Sequence, residues 1–219
     1  MPRKDTDLAM QNQSKGDGVV YVVDDDVDVR EGLQSLFQSI GLKSQIFGST
    51  SEFLTADLTD VASCLILDVR FPDSSGLDLQ AELARIQKNI PIVFITGHGD
   101  IPMTVKAMKG GAIEFLPKPL REQDLLDAVR IALDRDRKRR KDELETRDLR
   151  ERYSALSARE QQVMSLVCAG LMNKQSAAEI GISEITLKVH RHNVMRKLGA
   201  KSLPDLVRMA ETLGIPRRK

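Results

Sequence analysis

Val19-Val20-Tyr21-Val22-Val23-Asp24-Asp25-Asp26 (VVYVVDDD) runs five apolar residues straight into three acids. An apolar run without polar alternation suits a strand buried on both faces. Adjacent carboxylates repel one another unless a cation or hydrogen bonds offset the repulsion. The stretch therefore predicts a central strand that carries negative charge to its carboxyl end. A solvated acidic turn is the plain alternative, and the rest of the chain decides between the two.

Further strand patterns follow at KSQIF (43–47), CLIL (64–67), PIVFI (91–95) and IEFL (113–116). Between them, Val29, Leu33, Leu36, Phe37 and Ile40 recur at helical spacing, as do Leu79, Leu83 and Ile86. Five strands alternating with helices predict an α/β doubly wound domain with a five-stranded parallel sheet over residues 18–133. The polar residues 1–17 are expected to form a disordered N-terminal tail.

After Pro119 a stretch free of Gly and Pro predicts one long helix. Leu125, Leu126, Val129 and Leu133 give its first part a core stripe. Residues 134–152 keep only Leu144 and Leu149, and are expected to form a solvated helical linker. From Tyr153 onward only helical patterns appear, at 158–170, 173–181, 183–200 and 203–214, so residues 153–219 read as a small all-α domain.

The formal net charge of +1 hides an asymmetry. Residues 1–133 carry 13 Lys and Arg against 20 Asp and Glu, residues 134–152 carry 9 against 7, and residues 153–219 carry 11 against 5. An acidic front and a basic back point to different partners, the back one polyanionic. Cys64 and Cys168 lie far apart in apolar stretches and read as buried, reduced thiols. With three His in the whole chain, they do not make a zinc site. No apolar run approaches the ~18 residues a membrane span needs, and a cytoplasmic protein without a membrane partner is expected.

In an open parallel sheet, ligands bind where the strands end. The first strand ends in Asp24-Asp25-Asp26, the third in Asp68, the fourth in Thr96-Gly97 and the fifth in Lys118-Pro119. Four strands thus bring acids, a hydroxyl and a lysine to one edge. The acids are tolerable together around a hard divalent cation, and Mg²⁺ suits carboxylate and carbonyl oxygens. A carboxylate beside Mg²⁺ can attack phosphorus and form an aspartyl phosphate. Asp68 stands alone on the central strand and is the natural nucleophile.

VVDDD, LDVRFPDSSGLDL and ITGHGDIPMTVKAMKGGAIEFLPKP resemble the receiver domain of two-component response regulators. The resemblance implies that Asp68 accepts phosphate from a sensor histidine kinase. It implies Mg²⁺ binding by Asp25, Asp68 and the Arg70 carbonyl, with Asp24 assisting directly or through water. It also places Lys118 on the phosphate and makes Thr96 and Phe115 a switch pair. Gly97 would keep the phosphate accessible, and Asp26 stands where relatives often carry Glu. The loop residue His98 is expected to be exposed.

In the basic domain, SAAEIGISEITLKVH has the rhythm of a helix-turn-helix. Ala177 permits close helix approach, Gly181 makes the turn, and Ile180, Ile182 and Leu187 form an apolar clasp. Ser183 is a candidate N-cap. The segment from Leu156 to Ala210 is similar to the LuxR-type DNA-binding domain, and with the receiver in front it resembles the FixJ branch. This implies that helix 184–198 enters the major groove of double-stranded DNA. Lys188, Val189 and His192 would reach base edges, while Lys174, Thr186, Arg191, Lys197 and Lys201 would contact phosphates. His190 is expected to face helix packing, and Ser176 stands where relatives usually carry an apolar residue.

The expected protein is a phosphorylation-switched transcription factor, an activator rather than an enzyme. It would form a homodimer on phosphorylation and have RNA polymerase as a partner. A phosphatase of the haloacid dehalogenase type also uses a strand-end Asp with Mg²⁺, but it places a second Asp where Arg70 stands. A ligand-sensing LuxR-type regulator would not need the strand-end acids and lysine.

Overall fold

The computed structural model describes residues 18–97 and 101–215, so the expectations for the tail at 1–17 and for His98 fall outside it. It divides into two compact units, Met1–Arg140 and Lys141–Lys219.

The first unit alternates strands and helices: β1 (Gly18–Val23), α1 (Val27–Ser39), β2 (Lys43–Phe47), α2 (Thr50–Thr55), β3 (Ala62–Asp68), α3 (Gly76–Arg85), β4 (Ile92–Thr96), α4 (Ile101–Lys109) and β5 (Glu114–Pro117). Helix α5 (Glu122–Ser154) follows. The five strands pair in parallel, in the order β2-β1-β3-β4-β5. Strand order reverses beside β1, so the crevice between the ends of β1 and β3 is where such a sheet binds ligands.

The apolar run 19–23 divides between two cores by the two-residue period of a strand. Val19, Tyr21 and Val23 pack with Leu65, Leu67 and Phe94, under Phe53 of α2, Leu83 of α3 and Ala107 of α4. Val20 and Val22 pack with Ile66, Val93 and Ile95, under Phe37 of α1 and Leu125 and Val129 of α5. Both faces of β1 and β3 are therefore dry, and apart from the Tyr21 hydroxyl and the buried Ser63 near the start of β3, no polar side chain appears until the strands end. Edge strand β2 is covered less and tolerates Lys43 and Gln45 in exposed positions.

Helix α2 was not legible from periodicity because it has only six residues. Its local signal was Ser49, whose hydroxyl caps the helix by accepting from the Glu52 N–H.

The helical linker expected at 134–152 lies within α5, and its start is not solvated. Asp136 is fully buried in the first unit, where its Oδ2 accepts the Ser63 N–H at 2.9 Å. Arg139 and Arg140 flank it as ion-pair partners. Leu149, in contrast, belongs to the core of the second unit with Leu156, Met164, Leu187 and Leu198. One helix thus supplies residues to both cores, and only its middle, with Leu144 exposed, answers to a solvated linker.

The second unit adds α6 (Ala158–Cys168), α7 (Asn173–Glu179), α8 (Glu184–Leu198) and α9 (Leu203–Thr212). Its boundaries are written in side chains. Ser157 and Glu160 form a capping box on α6, while Ser183 caps α8 and Ser202 caps α9. Gly181, at the α7–α8 turn, has φ of 66°, a conformation that costs other residues a steric penalty.

Candidate functional site

At the β1/β3 crevice, Asp24 follows the last residue of β1 and is completely buried. Its Oδ1 accepts the Asp26 N–H at 3.0 Å, and its Oδ2 accepts from Lys118 Nζ at 2.6 Å. Asp68, the last residue of β3, is 8% exposed. Its Oδ1 accepts the Val69 N–H at 2.7 Å, and its Oδ2 lies 3.2 Å from the same lysine. Asp25 is exposed, and a carboxylate oxygen from each of Asp24, Asp25 and Asp68 falls within 4.8 Å of the others. Asp26 turns away: its Oδ1 accepts from the Asp28 and Val29 N–H groups, capping α1. The three consecutive acids thus have three separate jobs.

Burial pushes the Asp68 carboxyl above its ordinary range, and the Asp24 charge adds to that, against the opposing pull of Lys118. Burial by itself lowers the Lys118 ammonium, but its hydrogen bonds and charge interactions with Asp24 and Asp68 outweigh that and hold it above its usual value. One lysine among three carboxylates leaves an uncompensated double negative charge. The donor set is all oxygen, with one exposed and one nearly buried carboxylate open to share an ion. These residues fit a hard divalent cation such as Mg²⁺.

Thr96 closes β4 and is 1% exposed, and its carbonyl accepts the Lys118 N–H at 2.7 Å. That bond fixes the lysine loop to the end of β4. Gly97 is exposed, with open space where a Cβ would lie. Phe115 is half-buried, with its ring 6.1 Å from that of Phe94 in the neighbouring strand. Arg70 is exposed, and its backbone bridges to Ser75 across the loop that follows β3. Gly76, the first residue of α3, abuts Asp68: a Cβ there would lie 2.1 Å from the Asp68 carbonyl oxygen.

In the second unit, α7, the turn at Gly181 and α8 form the helix-turn-helix. Ala177 and Leu187 are buried between its helices, and Ile180 and Ile182 pack against the same core. The inward face of α8 is Leu187, Val194 and Leu198. Lys174, Thr186, Lys188, Val189, His192 and Lys201 are exposed, and Arg191 and His190 are half-buried. Arg191 donates to Asn173 Oδ1 at 3.1 Å, which braces α8 on the start of α7.

Lys197, expected on a DNA phosphate, is exposed and also pairs within the domain. Its Nζ lies 2.7 Å from Glu160 Oε2, and Glu160 is only 4% exposed. The lysine neutralises an inward carboxylate that also caps α6 through Ser157. The phosphate-contact expectation for Lys197 came from the family resemblance, which carries no information about its pairing with Glu160. The Ser157-x-x-Glu160 capping pattern was the available sign that Glu160 points inward.

A doubly wound sheet with carboxylates and a lysine at its switch point, joined to a basic helix-turn-helix, defines a phosphorylatable regulator of DNA. Comparison with known proteins agrees. Residues 20–130 match the response regulator receiver domain, and residues 154–210 match the bacterial regulatory proteins of the luxR family. The chain is 58% identical over 197 residues to nodulation protein W of Bradyrhizobium diazoefficiens, covering 90% of this chain and 87% of that protein. Among solved structures, the response regulator StyR is 52% identical with a TM-score of 0.79, over 90% of this chain and 99% of that one. Full-length FixJ from B. japonicum is 39% identical with a TM-score of 0.54, over 92% and 99%.

The chain belongs to the response regulators of two-component systems, in the FixJ branch, with a receiver domain and a LuxR-type DNA-binding domain. It is a transcription factor, which sets aside the phosphatase and the ligand-sensing readings. Among the described residues no helix is long and apolar enough to cross a membrane.

Proposed function

We propose that Asp68 accepts a phosphoryl group from the phosphohistidine of a sensor kinase, and that this promotes dimerisation and operator binding. The observation that carries the reading is the cluster of Asp24, Asp25 and Asp68 carboxylates at the β1/β3 switch point, with Lys118 Nζ bonded to Asp24 and Asp68. A carboxylate oxygen of Asp68 forms the new P–O bond while the P–N bond to the donor histidine breaks. Lys118 would neutralise phosphoryl oxygens, and the Thr96 hydroxyl would hydrogen-bond one of them. Asp25, Asp68 and the Arg70 carbonyl would hold Mg²⁺, with Asp24 beside them. The ion supplies charge neutralisation on the transferring oxygens.

The added charge of about −1.5 to −2 draws Thr96 toward the site and lets Phe115 turn inward. Helix α4 shows an apolar stripe, Ile101, Val105 and Met108, which are 82%, 45% and 42% exposed. A stripe of that spacing supports a dimer face next to the switch. Coupling of ~1–3 kcal/mol would then favour the dimer by about 5–150-fold. Two copies of α8 would read half-sites about one DNA turn apart. Lys188, Val189 and His192 face base edges, while Lys174, Thr186, Arg191 and Lys201 serve the phosphates. RNA polymerase is the partner through which activation would follow.

The test is incubation of the full chain with acetyl phosphate and Mg²⁺, followed by intact mass and sedimentation. Wild type gains one phosphoryl mass and dimerises, whereas Asp68→Asn does neither. Full labelling of Asp68→Asn refutes the assignment, and labelling without dimerisation or tighter operator binding refutes the switch.

A further inference from the structure

On α8, Ile185 is 76% exposed and Val189, one turn on, is 55% exposed. At about 100° per residue these two lie ~40° apart on the helix wheel, and their midpoint is about 180° from the centre of the buried Leu187, Val194 and Leu198. Lys188 and His192 share that outward face, and both are exposed. Two β-branched apolar side chains therefore form a continuous patch on the face furthest from the core. A lone exposed isoleucine needs no explanation. A paired patch inside a cationic surface, in a domain carrying 11 basic against 5 acidic residues over 153–219, does.

We infer that Ile185 is a specificity-determining residue that reads the C5-methyl group of a thymine in the major groove, side by side with Val189. The inference rests on the proposed entry of α8 into that groove and adds a residue and a base to it. Three physical points support it. The N-terminal residues of a recognition helix are the ones brought against base edges, and Ile185 is the second residue of α8. The thymine methyl is the one apolar group that B-DNA displays on its major-groove edges, so it is the complement of an apolar patch among cations. Lys188 Nζ is already 3.3 Å from Glu184 Oε1, so the flanking charge is partly compensated at the start of the helix, where the apolar pair stands forward. Sequence periodicity hid this residue, because an isoleucine in a helix reads first as core.

The test starts from operators selected from random duplexes with the full-length protein. Each preferred thymine is replaced in turn by deoxyuridine, which removes only the methyl. Wild type is expected to lose about three- to fivefold in affinity at one or two positions per half-site, the value of one buried methyl group. Ile185→Ala should bind the thymine operator more weakly by a similar factor and lose its sensitivity at one of those positions. Ile185→Val should retain it. Undiminished sensitivity of Ile185→Ala at every position, or selected half-sites without a preferred thymine, overturns the inference. Lys188→Ala on the same duplexes separates the two levels. If it keeps the wild-type base preference, the groove placement itself fails. If it loses the preference while Ile185→Ala behaves as wild type, only the thymine assignment fails.

Discussion

Lys118 Nζ lies 2.6 Å from Asp24 Oδ2, with no part of the Asp24 side chain exposed. Asp24 is therefore held by the lysine, and Lys118 is a structural counter-ion in addition to its proposed role on the phosphate. Removing one partner of a buried pair leaves the other charge uncompensated. Lys118→Met should destabilise the receiver by about 3 kcal/mol. Mg²⁺ should raise the melting temperature of this variant more than that of wild type, because the cation replaces the lost charge. Thermal unfolding with and without Mg²⁺ measures both effects, and equal Mg²⁺ shifts would contradict them.

Asp68 carries the opposite sign. Burial raises its carboxyl above the ordinary value, so the group binds its proton more tightly in the folded chain than in the unfolded one. Its contribution to stability is complete below the unfolded value of about 3.9 and is lost as pH rises through the folded value. Without added metal, Asp68→Asn should then be more stable than wild type at neutral pH. The difference should shrink toward zero as pH falls below ~4. Denaturant titrations across that range check the sign, and a variant less stable at pH 7 would reverse the argument.

Gly76 tests how tightly Asp68 is framed. A Cβ at this position would meet the Asp68 carbonyl oxygen at 2.1 Å and Leu67 Cγ at 3.0 Å. The first contact is with backbone and cannot be relieved by a rotamer change. Gly76→Ala should cost about 1–3 kcal/mol, as overpacking does. It should also slow labelling by acetyl phosphate, since relief requires β3 or the start of α3 to move. Unchanged stability and labelling rate would show that the loop yields freely.

Ser176 is fully buried in α7, and its hydroxyl has no hydrogen-bond partner. An unsatisfied buried polar group costs about 1–3 kcal/mol. Ser176→Ala should stabilise the DNA-binding domain by about 1 kcal/mol and leave operator affinity unchanged. Chemical denaturation and DNA titration read the two expectations separately.

The central strands and the acid edge were legible because their causes are local. A strand buried on both faces must be apolar throughout, as Val19 to Val23 are, and charge can appear only where it ends. The differing roles of Asp24, Asp25 and Asp26 were less accessible. They depend on which carboxylate turns toward Lys118, 94 residues away, and which caps α1. Asp136 escaped notice for a similar reason. On a helix of charges, nothing in the local pattern tells the one that accepts the Ser63 N–H from its solvated neighbours. Long-range pairing of polar groups is set by the fold and leaves little periodic trace.

Lys197 shows the same limit and yields a prediction that discriminates between two roles. As a phosphate contact, its removal should weaken binding to all DNA and reduce the salt slope by about 1. As the partner of Glu160, its removal should instead lower the stability of the helix-turn-helix domain. The Glu160 carboxyl is held below its ordinary value first by its hydrogen bond with Lys197 and then by the Ser157 N–H. A depressed folded value means the stabilisation is present above the unfolded value of about 4.3 and is lost as pH falls through the folded value. Lys197→Met should therefore melt several degrees lower at neutral pH, with the gap to wild type narrowing in acid. At temperatures where the variant is folded, its DNA salt slope should match wild type, while Lys201→Ala should show the reduced slope. A Lys197→Met protein with wild-type melting behaviour and a shallower salt slope would return the residue to the phosphate-contact set.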